Sequence, residues 1–328
     1  MARAAASGEQ RHGISLSSLD DELFAGAAAT KRDLLDHLEA VAAVMLPGLE
    51  DRPLSVVRVR PGQPAFMQKN LPAYAPASVR RVPQWSEASH REVVYAVAED
   101  VTTLVWFGNQ RAVEYHVPLY QLADPARPTA LVLDLDPPEG TGFDVVVAAA
   151  RVVRRALDEA GLAGAIKTSG SKGVHVVVPL APGTTDDAAA ATRALAARAE
   201  RIDPDLTTTA YLREDRAGKV YLDPTRAGGG TLAATYSPRV RPGTTVSFPV
   251  GWDDLDAVTP ADFTVRTVPG LLAGRPSWAE RLPAPQELPA DLVAEGRAIP
   301  VARVQAMHEG KRRKRARAAD AAAADAEK

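Results

Sequence analysis

The sequence predicts an α/β (α+β) fold organised on a mixed β-sheet, and three observations carry that reading. Residues 129–223 run in the order strand, helix, strand, glycine-rich turn, strand, helix, strand, which is the order of a mixed α/β sheet. With 46% hydrophobic and 24% charged residues over 328 positions, the chain can bury a sizeable core and is too evenly mixed to be disordered or fibrous. No stretch approaches the roughly 18 consecutive apolar residues of a membrane span. The first 30 residues also lack a basic segment followed by a long apolar one. A cytoplasmic protein without membrane contact is the expectation.

Along the chain, residues 1–13 read as a flexible leader. Thr30 to Leu46 has helical spacing, with Leu34, Leu35, Leu38, Val41, Ala42 and Met45 on one side and Thr30 with Asp33 as a capping box. Leu54–Arg60 is β-branched and runs into a turn at Pro61-Gly62, and further strands are expected at 65–69 and 92–96. Residues 100–110 suit a helix that feeds a strand at 112–117. The strongest strand is Thr129–Asp136 (TALVLDLD), bounded by Pro128 and Pro137-Pro138. Phe143–Ala160 then has the length of a helix and stops at Gly161. Strands at 165–168 and 174–179 flank the turn 169–173, a helix covers 186–201, and a strand occupies 219–223. From Val240 onward, proline and glycine are frequent and only a short helix at 253–258 is expected, so this part reads as a peripheral wrap. The end is a basic run, KRRKRAR at 311–317, followed by alanines and acids, the composition of a disordered tail.

The absence of cysteine removes disulfides, thiol nucleophiles and Cys-ligated zinc, so a metal would have to bind carboxylates, histidine or water. A formal charge of -2 gives no global attraction to nucleic acid, so binding of that kind would rest on local basic clusters. Asp134 and Asp136 project from one side of their strand, with Leu133 and Leu135 on the other. Either a hard divalent cation relieves their repulsion, or they end a solvent-exposed strand before a Pro-Pro turn. Taken alone, the second explanation suffices.

The segment Thr168–Leu180 (TSGSKGVHVVVPL) makes a tight turn whose backbone N–H groups and Lys172 could hold phosphate oxygens. It is not a Walker A loop, because the spacing differs and a strand follows. Ser169 fits a turn cap as well as a phosphate ligand, and His175 fits a hydrogen-bonded structural residue as well as a catalytic one. Asp223 ends VYLD before Pro224, in the same strand-end setting as Asp136. Three acids at strand ends of one sheet could converge on a two-metal site for in-line phosphoryl transfer, with Arg239 and Arg241 neutralising a triphosphate.

The order DLDPPEG, TSGSKGVHVVVPL, VYLD, YSPRVRPGTTVSFPVGWDDL resembles the polymerase domain of bacterial DNA ligase D, a branch of the archaeo-eukaryotic primase superfamily. The resemblance extends upstream through ATKRDLLDHLEAVAAVMLPGLEDRPLSVVRV, FMQKN and LVWFGNQRAVEYH, and covers about residues 14 to 290. It implies a primase-polymerase fold: a central mixed, mainly antiparallel β-sheet flanked by helices, with a smaller N-terminal α/β part. The expected division is a leader at 1–13, a primase-polymerase domain at 14–300 (14–125, then 126–300) and a tail at 301–328.

Carried over by motif, the resemblance implies that Asp134, Asp136 and Asp223 are catalytic and bind two Mn²⁺ or Mg²⁺ ions. It implies that Ser169, Lys172, His175, Arg239 and His116, the last in an E-x-H pattern with Glu114, bind the incoming nucleotide. Lys31 matches a lysine for the 5′-phosphate of a gapped end, and Phe66 and Lys69 match the segment near the template. Arg58, Arg60, Arg80, Arg81 and the 311–317 run are further candidate DNA contacts.

The chain also departs from the pattern. Ser18-Leu19-Asp20-Asp21 stands where a second phosphate lysine is usual, Pro-Thr-Arg-Ala follows Asp223 where the family runs towards an asparagine, and Met67 replaces a common aromatic. With no Lys-x-Asp-Gly motif in the sequence, the expectation is a stand-alone polymerase.

The implied activity is DNA-directed addition of ribo- or deoxyribonucleotides to primer ends or short gaps, in double-strand break repair by non-homologous end joining. Its partners would be primer-template or broken DNA, an NTP or dNTP, Ku and a separately encoded ATP-dependent DNA ligase, at the nucleoid. The rival readings are a non-catalytic end-binding or bridging module and a de novo primase.

Overall fold

The computed structural model describes residues 8–86, 90–228 and 230–301. Residues 1–7 of the expected leader, and 302–328 of the expected tail with its basic run, lie outside the described residues.

Strand pairing builds the mixed, mainly antiparallel sheet that the sequence led us to expect. Six strands lie in the order Thr207–Thr208, Val220–Asp223, Ala130–Asp136, Val174–Pro179, Ala165–Thr168, Pro249–Val250. The first pair is parallel and every other pair antiparallel. Alternation along these strands separates two chemistries. Leu131, Leu133, Leu135, Val174, Val176 and Leu222 belong to the main core, which also takes in helices Phe143–Glu159 and Thr185–Ile202. On the opposite face, Ala130, Val132 and Val177 form a small apolar cluster with Leu232, and the polar residues of the site continue that face. The first helix buries a stripe at i, i+3, i+4 spacing (Val146, Ala149, Ala150, Val153); the second is alanine-rich, which lets it lie close to the strands.

A second sheet, of four antiparallel strands, has the order Thr231–Ala233, Ala112–Pro118, Ser55–Arg60, Gln63–Gln68. It borders helices Lys31–Met45 and Val101–Asn109, whose caps are Thr30, in a full capping box with Asp33, and Asp100. Strand Thr231–Ala233 comes late in the chain yet pairs with Ala112–Pro118.

Three further expectations need correction. Residues 8–13, assigned to the leader, join a short hairpin in which Gln10–Arg11 pairs with Ile14–Ser15. Arg11, bonded to Asp36 and Glu39, ties that hairpin to the first helix. The segment after Val240 supplies core as well as cover: Val246, Phe248, Val250, Phe263 and Val265 are buried, and Phe248 stacks on Phe263. Strand Arg80–Ser86, which pairs with Arg91–Val97, and helix Ala290–Ala298 were not anticipated. Each lacks a clean apolar period; the helix buries only Leu292 and Gly296.

Candidate active site

The register of the six-stranded sheet sets four polar residues in one row. Asp134 is paired with His175 on one side and with Asp223 on the other, and His175 is paired in turn with Lys167. Asp136, two residues further along its strand, projects from the same face and is paired with Tyr221. The three expected acids are therefore brought together, and so is His175.

The row is buried, and its electrostatics follow from that. His175 Nε2 lies 3.4 Å from Asp134 Oδ1. Burial and the nearby Lys167 push the His175 imidazole down to about 4, against the pull of Asp134, so the ring is neutral at pH 7. Burial alone would raise Asp134, but His175 and Arg226 outweigh it and hold that carboxyl below its ordinary range. Asp136 moves the other way: desolvation and the charges of Asp134 and Asp223 push it up to about 6. Burial and Arg239 push the Lys167 amine down to about 7; its Nζ donates to the Ala233 carbonyl at 2.9 Å and to Ser247 Oγ at 2.6 Å.

Asp223 also caps the turn that follows it, Oδ1 accepting the Thr225 N–H at 2.9 Å. That turn, Thr225–Gly228, delivers Arg226, whose Nη2 donates to Asp134 Oδ2 at 2.9 Å and lies 3.7 Å from Asp223 Oδ2. Among the described residues, no group of three His, Asp or Glu side chains is set to hold a metal ion. The Arg226 guanidinium stands between Asp134 and Asp223. The donor set still fits a hard divalent ion: three carboxylates share one face and flank a position where positive charge is already accommodated.

Beside the row, Glu114 organises the expected nucleotide residues. Its Oε2 accepts from His116 Nε2 at 2.8 Å and lies 3.1 Å from Arg239 Nε, while Oε1 accepts the Val240 N–H at 2.8 Å. Burial would raise Glu114, but His116 and Arg239 bring it down to about 2. Arg239 Nη1 donates to the Ser169 carbonyl at 2.6 Å, which links this group to the turn carrying Lys172. Ser169 itself acts as the cap of that turn, its Oγ accepting the N–H groups of Ser171 and Gly173 at 3.2 and 3.3 Å. Two glycines are obligatory here. Gly170 has φ +69° with Arg239 and Ser247 packed against it, and a Cβ on Gly173 would lie 1.9 Å from the Leu135 carbonyl oxygen.

Lys172 is exposed and opens onto a cleft of about 540 Å³ lined by Asp136, Arg213, Arg216, Lys219 and Arg241. Sequence reasoning missed Lys167, Arg213, Arg216 and Lys219. Lys167 had a signal, a lone lysine inside the apolar strand AIKT; the other three lie in or beside irregular turns with no period to read.

The expected DNA residues sit apart, on the N-terminal part. Phe66 is on the edge strand Gln63–Gln68, with the Arg58 and Arg60 guanidinium groups 5.9 and 4.8 Å from its ring centre, and Lys69 is exposed beside it. Lys31 is turned inward: it is 2% exposed, Nζ donates to the Ser17 carbonyl at 2.5 Å, and burial with nearby Arg111 pushes its amine down to about 8. Asp21, the acid standing where a base is usual, is paired with Arg111 at 2.8 Å.

The sequence profile of the family described as LigD, primase-polymerase domain, matches residues 30–278. The Bifunctional non-homologous end joining protein LigD of Bacillus subtilis (strain 168) is 36% identical over 261 residues, covering 78% of this chain and 42% of that protein. The Multifunctional non-homologous end joining DNA repair protein LigD of Mycobacterium tuberculosis is 36% identical over 262 residues, covering 76% and 34%. Among solved structures, the polymerase domain from Mycobacterium tuberculosis Ligase D in complex with DNA matches with a TM-score of 0.75 and 34% identity, over 84% of this chain and 98% of that one. The chain belongs to the LigD primase-polymerase domain family. It spans less than half the length of these two curated relatives.

Proposed function

We propose that the chain is a DNA-directed nucleotidyltransferase that adds ribo- or deoxyribonucleotides to primer ends or across short gaps during non-homologous end joining. One observation carries this reading: strand register lines up His175, Asp134 and Asp223, with Asp136 beside them at the mouth of a basic cleft. Asp134, Asp136 and Asp223 would hold Mn²⁺ or Mg²⁺, two ions when fully loaded, which would stabilise charge on phosphoryl oxygens and ease loss of the proton from the primer 3′-hydroxyl.

The chain's own residues position charge. Lys172, Arg213, Arg216, Lys219 and Arg241 surround a space suited to a triphosphate and neutralise it there. Arg239 braces the turn of Lys172 through the Ser169 carbonyl, while Glu114 holds both Arg239 and the ring of His116 beside the nucleotide. Neutral His175 fixes the Asp134 carboxylate without competing for its charge. Phe66 and Lys69 contact the DNA, with Lys31 reaching a 5′-phosphate once the Ser17 carbonyl is released. Ku and a separately encoded ATP-dependent ligase are the partners such a repair role calls for.

A non-catalytic bridging module has one observation in its favour, the neutralisation of Asp134 by Arg226. Primer extension with Mn²⁺ and labelled ribonucleotides, comparing the wild-type chain with the double variant Asp134→Ala, Asp136→Ala, separates the readings. Extension by wild type alone is the expected result. Tight DNA binding without extension would establish the bridging module, and synthesis without primer a primase.

A further inference from the structure

Arg226 is set among the three acids in an unusual way. It reaches them from the turn directly after Asp223, and one nitrogen, Nη2, serves both Asp134 and Asp223. Only the contact to Asp134 has hydrogen-bond length; no bidentate fork forms. Among the described residues, its Nε is buried and has no hydrogen-bond partner. A guanidinium engaged through one of its three nitrogens, with a buried donor left over, is held mainly by the charge around it. The charge around it is arranged by the strands: Asp134, Asp136 and Asp223 share this face, and Arg226 reaches two of the three.

From this we propose that Arg226 is a displaceable internal counter-ion of the acid cluster, and that it sets the affinity of the site for a divalent cation. In the metal-free protein it relieves the repulsion between Asp134 and Asp223. A hard cation that takes oxygen from both carboxylates claims the same position, so the guanidinium must leave for it to enter. Two consequences follow by linkage: metal binding is weakened by the cost of displacing Arg226, and the metal-free fold is stabilised by the same contact. The inference rests on the metal-binding reading of the acids given above.

The test is Mn²⁺ binding, without nucleotide or DNA, followed by the electron paramagnetic resonance signal of free Mn²⁺. Wild type, Arg226→Gln, Arg226→Lys and Asp134→Asn are compared, and melting temperatures are recorded in EDTA and in excess Mn²⁺. We expect Arg226→Gln to tighten Mn²⁺ binding about tenfold, a normal size for coupling between two sites. It should also melt lower than wild type in EDTA and gain more from Mn²⁺. Arg226→Lys, which keeps the charge on a shorter side chain, should fall between.

Equal or weaker Mn²⁺ binding by both Arg226 variants, with wild-type binding lost in Asp134→Asn, would overturn the counter-ion role and leave the metal site standing. If Arg226→Gln is too unstable to isolate, Arg226→Lys decides on the same terms. Wild-type binding that survives Asp134→Asn unchanged, or no binding at all, would overturn the metal reading itself.

Discussion

The two sheets place their functional residues by different means. In the six-stranded sheet, backbone pairing does it: register sets Asp134 between His175 and Asp223. In the N-terminal part, the candidates depend on where long side chains and loops settle. Lys69 is free at an edge, whereas Lys31 turns inward to a carbonyl from the loop before its helix. Positions fixed by a ladder should therefore respond to substitution sharply and in chemistry, and positions fixed by a loop mildly and in binding.

The largest expected effect is Asp134→Asn. Primer extension should fall by at least about 10³-fold, more than the loss of a single oxyanion donor, while circular dichroism stays that of wild type. Retained activity would mean that the ladder positions do not carry the chemistry.

Next comes the joint between the two parts. His37, on the N-terminal helix, is fully buried and its Nε2 lies 2.9 Å from the Tyr236 carbonyl. Burial pushes its imidazole down to about 4. The unfolded chain then takes up a proton that the fold refuses, so stability is complete above about pH 6.5 and declines as pH falls towards 4. The loss from this residue is on the order of 3 kcal/mol. Urea titrations over that range should show a shallower decline in His37→Gln; some slope remains because His175 is shifted the same way.

Gly173→Ala should cost about 2 kcal/mol of stability, since the turn or the Leu135 strand must move to admit the methyl group. A melting temperature equal to wild type would show that the turn is not locked to the ladder.

The loop-placed residues should give the smallest changes. Lys69→Ala is expected to weaken DNA binding a few-fold and to reduce the salt slope by about one unit, as loss of one phosphate contact does. Lys31→Gln should lower the melting temperature and cut the preference for a 5′-phosphorylated gap end by a few-fold, about what one ionic contact carries. An unchanged preference, read from competition binding, would confine Lys31 to the fold.

How much of this was legible in the sequence follows the same contrast. The strands Ala165–Thr168 and Val174–Pro179 carry their bounds in valine, isoleucine and flanking glycine, and the helix Phe143–Glu159 in its apolar period and the glycine stop after it. Asp134, Asp136 and Asp223 could be read because strand-end acids before proline recur twice in one sheet. The role of Arg226 could not: it depends on a short 3-10 turn folding Asp223 and Arg226 back on one another, and a sequence shows only that an arginine stands three residues on. Phe248 and Phe263 were hidden by the prolines and glycines around them, since their burial comes from distant packing rather than local period.

The last strand of the central sheet, Pro249–Val250, borders Lys167 at the outer end of the row. On the ribosome, that rim has no neighbour until residue 250 has emerged, well after the last acid has been made. A nascent chain thus carries all three carboxylates before the strand that closes the Lys167 end of the row has been made.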